Sequence, residues 1–211
     1  MAMAKNKGIL LVTMEPPAAI EEEFNDWYDT EHIPERAGIH GFESALRFVC
    51  IDGWPRYLAI YDLAYPDVLN EEEYGRVSGK NFSPWTRRIQ GKVRGQYRAV
   101  GTQVYPGNAR TGNPARLTLL RFSGVQPSAE QRIREALVVT FAMRTETSQL
   151  RLFRSDADGP SNYLALIESQ AAFPMSALDL TVFGTQRQHM DMVNTYVRHW
   201  PQRRASDADP R

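Results

Sequence analysis

Cysteine is nearly absent from this chain. Cys50 is the single one among 211 residues, so no internal disulfide can form, and a reducing cytoplasm is the expected compartment. Excess charge is absent too: 25 Lys and Arg balance 25 Asp and Glu. No global field draws the protein to nucleic acid or to an anionic membrane, and neither is expected as a partner. Long apolar runs are missing; nothing approaches the roughly 20 residues of a membrane span. The run Ile9–Met14 is too short for the core of a secretory signal and reads better as a strand. No phosphate-binding glycine loop follows a strand, so a nucleotide cofactor is not expected. His32 and His40 stand eight apart with no second ligand pair nearby, which argues against a metal site. No nucleophile-elbow motif occurs. What remains is an ordinary globular chain, long enough for one large core or two small ones, with a small molecule as its expected partner.

The elements fall into an order that occurs twice. Ile9–Met14 reads as a buried strand stopped by Pro16-Pro17. Ala18–Arg36 has apolar residues at helical spacing and an acidic start, Glu21-Glu22-Glu23, that suits a positive helix N-terminus. Phe42–Ile51 alternates, Asp52-Gly53-Trp54-Pro55 is a turn signal, and Tyr57–Leu63 is the returning strand. Residues 66–80 suggest a second helix, residues 81–88 an aromatic, basic loop, and Val93–Tyr105 a fourth strand. After the Gly-, Asn- and Pro-rich linker at 106–114 the order returns. Arg116–Phe122 is a strand, Ser128–Met143 a helix, and Leu150–Arg154 with Tyr163–Glu168 a hairpin across Asp156–Pro160. Residues 173–183 are ambiguous, Met190–Trp200 is a last strand, and the polar end is expected to be disordered.

Residue matches accompany the repeated order. Ser44-Ala45-Leu46-Arg47 resembles Ser148-Gln149-Leu150-Arg151, and Tyr57-Leu58-Ala59-Ile60 resembles Tyr163-Leu164-Ala165-Leu166, at offsets of about 104 to 106. The expectation is an α+β fold made of two ferredoxin-like βαββαβ units, 8–106 and 115–201, with a tail at 202–211. Two such sheets can pair face to face as a barrel within one chain. Each helix layer then leaves a cleft against its own sheet. Remaining sheet edges or helix faces could still support a homodimer.

Chemistry concentrates in Phe24–Glu35. Trp27, Tyr28, Glu31 and His32 lie along one helical stripe. Imidazole exchanges protons near neutral pH, so His32 suits acid–base work. Tyr28, one turn earlier, can donate a hydrogen bond to a developing oxyanion. Trp27 can wall an aromatic pocket. Asp29 or Glu31 could orient the imidazole. Pro34 is expected to end the regular helix and leave His32 at its terminus. Arg47, Tyr61 and Trp85 are candidate substrate contacts, although the match of Arg47 to Arg151 favours a structural role for that pair. Cys50 sits on the apolar register of its strand and reads as packing. The plainer reading of the aromatic stripe is core packing. The helix Ser128–Met143 carries no Trp, Tyr or His, so one functional half and one scaffold half are expected.

The segment Trp27-Tyr28-Asp29-Thr30-Glu31-His32-Ile33-Pro34, followed by Gly41-Phe42 and by Tyr57-Leu58-Ala59, resembles the EthD-like branch of the dimeric α/β-barrel superfamily. His40 stands where that pattern has proline before Gly-Phe. The resemblance covers residues 8 to about 105; beyond residue 115 it is one of architecture alone. It implies a small, cofactor-independent catabolic enzyme, a lyase, isomerase or cyclase acting on an aromatic or oxygenated metabolite. In that reading His32 shuttles a proton, Tyr28 or Tyr61 stabilises enolate or phenolate charge, and Trp27 and Trp85 line the pocket. The alternative is a non-catalytic ligand-binding or stress-response barrel. Some barrels of the superfamily bind haem, but no residue pattern here asks for it.

Overall fold

The apolar run at the N-terminus forms strand β1 (Gly8–Glu15), buried along nearly its whole length because it lies between two layers. It pairs antiparallel with β3 (Tyr57–Leu63) on one side and β4 (Arg94–Tyr105) on the other, and β2 (Leu46–Asp52) pairs with β3. The computed structural model describes residues 6–155, 161–173 and 178–200. A second set, β5 (Arg116–Val125), β6 (Thr147–Arg154), β7 (Ser161–Ser169) and β8 (Met190–Arg198), repeats the arrangement. The ring runs β1-β3-β2-β8-β5-β7-β6-β4 and is closed. The sheets join edge to edge, through β2–β8 and β4–β6, while their inner faces meet across the barrel interior. Closure pairs the edges that a dimer could otherwise have used.

Alternation along each strand sorts side chains into three cores. Leu11, Phe48, Ile60, Leu119, Leu166 and Tyr196 fill the barrel interior. Outside it, one cluster packs the first helical layer on Leu10, Tyr57 and Tyr61, and another packs the second on Phe122, Leu152 and Tyr163. This parity corrects one of the residue matches. Arg47 pairs across the ladder with Ala59, whereas Arg151 pairs with Leu166. Leu46 packs against the barrel interior, but its sequence match Leu150 belongs to the outer cluster. The two arginines thus face opposite sides of the wall, because a shift of one residue exchanges the faces of a strand. Arg151 is no counterpart of Arg47. The Tyr57–Ile60 and Tyr163–Leu166 match keeps its parity throughout.

The first helical layer also departs from the sequence reading. Helix α1 (Glu21–Trp27) runs into a π-turn (Tyr28–His32) and on into helix α2 (Ile33–Ala37). Pro34 does not end the helix. The Ile33 N–H donates to the Tyr28 carbonyl, five residues back, and this wider turn accommodates a proline whose ring would crowd a regular one. His32 is consequently mid-helix. Residues 66–80 are not one helix but a 3-10 turn (Pro66–Asn70), the short helix α3 (Glu72–Gly75) and the start of another 3-10 turn (Gly79–Asn81). The expected loop at 81–88 contains helix α4 (Pro84–Gln90), with Ser83 as its N-cap accepting from the Thr86 N–H at 2.9 Å and Pro84 at its first position.

In the second layer α5 (Glu130–Leu137) again leads into a π-turn (Val138–Ala142). A 3-10 segment (Leu180–His189) precedes β8. The turn expected at Asp156–Pro160, part of the ambiguous 173–183 segment and the tail at 202–211 lie outside the described residues. Among those described, no helix is long and apolar enough to cross a membrane. Cys50 is half-buried against the barrel interior.

Candidate functional site

The π-turn gathers three rings. It lets Trp27, Tyr28 and His32 crowd together: His32 lies 4.4 Å from the Trp27 ring, tilted by 32°, and 5.3 Å edge-on from Tyr28. Trp27 is wholly buried and donates from Nε1 to the Thr86 Oγ1 at 3.0 Å. It stands behind the imidazole as a support. Tyr28 is buried as well, its hydroxyl 3.9 Å from Met14 Sδ. Burial pushes its phenol up to about 12, against the opposing pull of Arg47 and Arg36, so it stays neutral.

Neither candidate carboxylate orients His32. Glu31 accepts from Ser83 Oγ at 2.5 Å and from Thr86 Oγ1 at 3.1 Å, tying the helix to α4. Asp29 accepts from Arg47 Nη1 at 2.7 Å and sits 3.7 Å from His199 Nε2. Arg47 also donates to Asn25 Oδ1 at 2.6 Å and lies 4.3 Å over the Tyr28 ring. It is thus a buried cation with its own carboxylate partner, stacked on Tyr28. Trp85 packs at the edge of the first outer cluster.

A cavity of about 50 Å³ lies beside His32. Leu10, Val12, Met14, Arg36 and Tyr61 contribute to its buried wall, and the partly exposed Tyr74, Phe82 and Gln90 with the exposed Gln96 and Arg98 form its mouth. Three polar atoms of its lining residues are buried without a hydrogen-bond partner: His32 Nδ1, Arg36 Nη1 and the Tyr61 hydroxyl. Native interiors seldom leave such atoms unpaired, and their convergence on one cavity marks a place for a polar ligand or water. Burial first, then the nearby Arg36 and Arg47, hold the His32 imidazole well below its ordinary pKa. It is neutral at physiological pH and free to accept a proton. Burial drives the Tyr61 phenol well above its ordinary value, so it is a hydrogen-bond donor.

Of the six residues singled out from the sequence, His32 and Tyr61 reach the cavity; Trp27 and Tyr28 brace His32; Arg47 braces Tyr28; Trp85 is set apart. Arg36 escaped the sequence reading. It lies four residues after His32 on the same helical face, a relation hidden by treating Pro34 as the helix end.

No family model matches the chain, and no curated protein sequence matches it. Solved structures do. An anthrone oxidase-like protein superposes with a TM-score of 0.58 at 13% identity, covering 93% of this chain and 92% of its own. The chlorite dismutase of Candidatus Nitrospira defluvii in complex with imidazole gives 0.55 at 8%, covering 94% and 93%. A haem-binding protein from Thermus thermophilus gives 0.54 at 10%, covering 93% and 92%. An oxidase-like protein, a dismutase and a haem-binding protein overturn the expectation of a cofactor-independent lyase, isomerase or cyclase. Haem itself does not fit beside His32: sites for ligands of drug size run to roughly 300 Å³ or more, against about 50 Å³ here. A larger groove beside His199 is lined by Glu21, Glu22, Asp26 and Asp29, which would repel haem propionates. At these identities the likeness establishes the architecture alone, an α+β chain whose eight antiparallel strands close into a barrel.

Proposed function

We propose that this protein is an enzyme of the oxidase or oxygenase class that deprotonates a small, enolisable or phenolic substrate at His32. The observation that carries the reading is the buried, neutral imidazole whose Nδ1 lacks a partner beside a small cavity lined also by Tyr61. His32 takes the proton, and Tyr61 donates to the oxygen on which charge develops. The rest of the substrate lies toward the mouth, where Tyr74 and Phe82 offer ring faces. Dioxygen is the co-reactant. When the substrate is a methylene flanked by rings, one dioxygen balances the change. The carbon loses both hydrogens and gains one oxygen atom as a ketone, and the other oxygen atom leaves with those hydrogens as water. The electrons lost by the carbon are the ones that reduce dioxygen. The likeness to an anthrone oxidase-like protein supports this class.

Oxygen uptake with anthrone as probe tests it. His32→Ala and His32→Gln are each expected to lower kcat by roughly 10²–10⁴-fold, the usual contribution of a positioned base. His189→Ala, a half-buried ring whose Nδ1 lies 2.9 Å from the Ser123 carbonyl oxygen, is the control and stays near wild type. Equal uptake by wild type and both His32 variants rejects the assignment.

We also infer that residues 8–106 and 115–201 are duplicated ferredoxin-like βαββαβ units. The repeated strand order, and a π-turn in each first helix, Tyr28–His32 and Val138–Ala142, support it. The Trp27–Pro34 segment supports the EthD-like branch. With the barrel edges paired, any homodimer of this cytoplasmic protein would use helix faces.

A further inference from the structure

Arg36 is the buried cation that lines the site, and its ion pair with Glu35, at 3.6 Å, is too long for a hydrogen bond. It is only 2% exposed. Its Nη2 donates to the Val77 carbonyl at 2.8 Å, and its guanidinium carbon lies 5.4 Å from the Tyr74 ring. Its Nη1 has no hydrogen bond; the Glu35 carboxylate, 3.6 Å away, is beyond hydrogen-bond reach. Arg47 differs, being neutralised by Asp29. A buried guanidinium whose Nη1 makes no hydrogen bond, and whose carboxylate neighbour is partly exposed at 3.6 Å, keeps a donor to offer an anion. The cavity lining agrees. Arg36 and Arg98 bring positive charge, His32, Tyr61 and Tyr74 are its other titratable groups, and no Asp or Glu lines it. About 50 Å³ admits the oxygen of a phenolic or enolisable substrate with the two or three atoms beside it, and leaves the ring itself at the mouth against Tyr74 and Phe82.

We infer that the cavity floor is an oxyanion site in which Arg36 Nη1, with the Tyr61 hydroxyl, binds a phenolate or enolate oxygen, making Arg36 the residue that selects acidic hydroxyl substrates over neutral ones. This rests on the proposed function for the identity of the site, but it concerns binding and is testable without turnover.

The probe is 4-nitrophenol, whose ionised form is yellow. Wild-type protein is expected to bind it as nitrophenolate and to lower its apparent pKa by about one unit, to bind it at least about tenfold more tightly than nitrobenzene, and to release it to formate. One unit corresponds to a tenfold preference for the charged form. Arg36→Gln is expected to remove the pKa shift and weaken binding at least tenfold. Arg36→Lys, which keeps the charge, retains the direction of the shift. His32→Gln keeps nitrophenolate binding while losing oxygen uptake, so failure of the base assignment and failure of the anion site read out separately. Wild-type protein that binds nitrobenzene equally well, or leaves the probe's pKa unmoved, overturns the inference whatever the stability of the variants. Undiminished nitrophenolate binding by folded Arg36→Gln overturns it too.

Discussion

At the scale of single residues, His32 shows how position converts an ordinary imidazole into a neutral base. Burial penalises its charged form, and the cationic Arg36 and Arg47 add to that penalty. The sign of the pH dependence follows. An unfolded chain takes up the proton near the usual pKa of about 6.5, the folded chain only at lower pH. The stability that depends on a neutral His32 is therefore complete above about pH 6.5 and is lost as pH falls toward the depressed folded value. Melting temperatures measured from pH 7.5 to 5 should fall more steeply for wild type than for His32→Gln, which cannot titrate there. Parallel curves would show that folding leaves the His32 pKa unshifted. The type and place of His32 were legible in the sequence. The absence of an orienting carboxylate was not, because Glu31 and Asp29 are taken up by Ser83, Thr86 and Arg47, all distant in sequence.

Elements show a similar division. The stripe of Phe24, Trp27, Tyr28 and His32 announced a helix packed on the sheet, but proline at 34 suggested the wrong end for it. A π-turn resolves the conflict by opening the hydrogen-bond ladder. Conversely, Ser83-Pro84 carried a good helix start that the aromatic and basic residues after it obscured. Ser83 both caps α4 and holds Glu31, so α4 is fastened over Trp27 and thus over His32. Ser83→Ala should cost about 1–2 kcal/mol, as a lost N-cap does. Urea denaturation measures the loss, and a melting temperature equal to wild type would show that this attachment carries no stability.

Across the whole molecule, one buried cluster joins what the sequence presents as separate halves. Arg151 on β6 donates to Asp62 on β3 at 2.7 Å and to Glu168 on β7 at 3.2 Å, with all three side chains at most 3% exposed. The Thr111 N–H donates to the same Asp62, and the Gly112 N–H to Glu168, so the linker lies over this cluster. Burial raises the Glu168 pKa while Arg151 opposes the rise. Arg151→Met leaves two buried carboxylates without their cation and should cost about 3–5 kcal/mol. The loss should lower amide protection in β3 as well as in β6 and β7. Confinement to the second half would separate the two.

The sequence by itself determined the order of the strands, the alternation that gives each strand an inner and an outer face, and the aromatic residues around His32. These are local properties, set by backbone periodicity and by the chemistry of each side chain. Tertiary structure alone decided which strands meet at the closing seams, that Arg47 and Arg151 face opposite sides of the wall, and that Arg36 lines a cavity with its Nη1 free of hydrogen bonds. Each depends on register or on packing between residues far apart in the chain. A one-residue shift in register reverses a strand's faces, and a single extra residue in a helical turn decides what shares a face with His32.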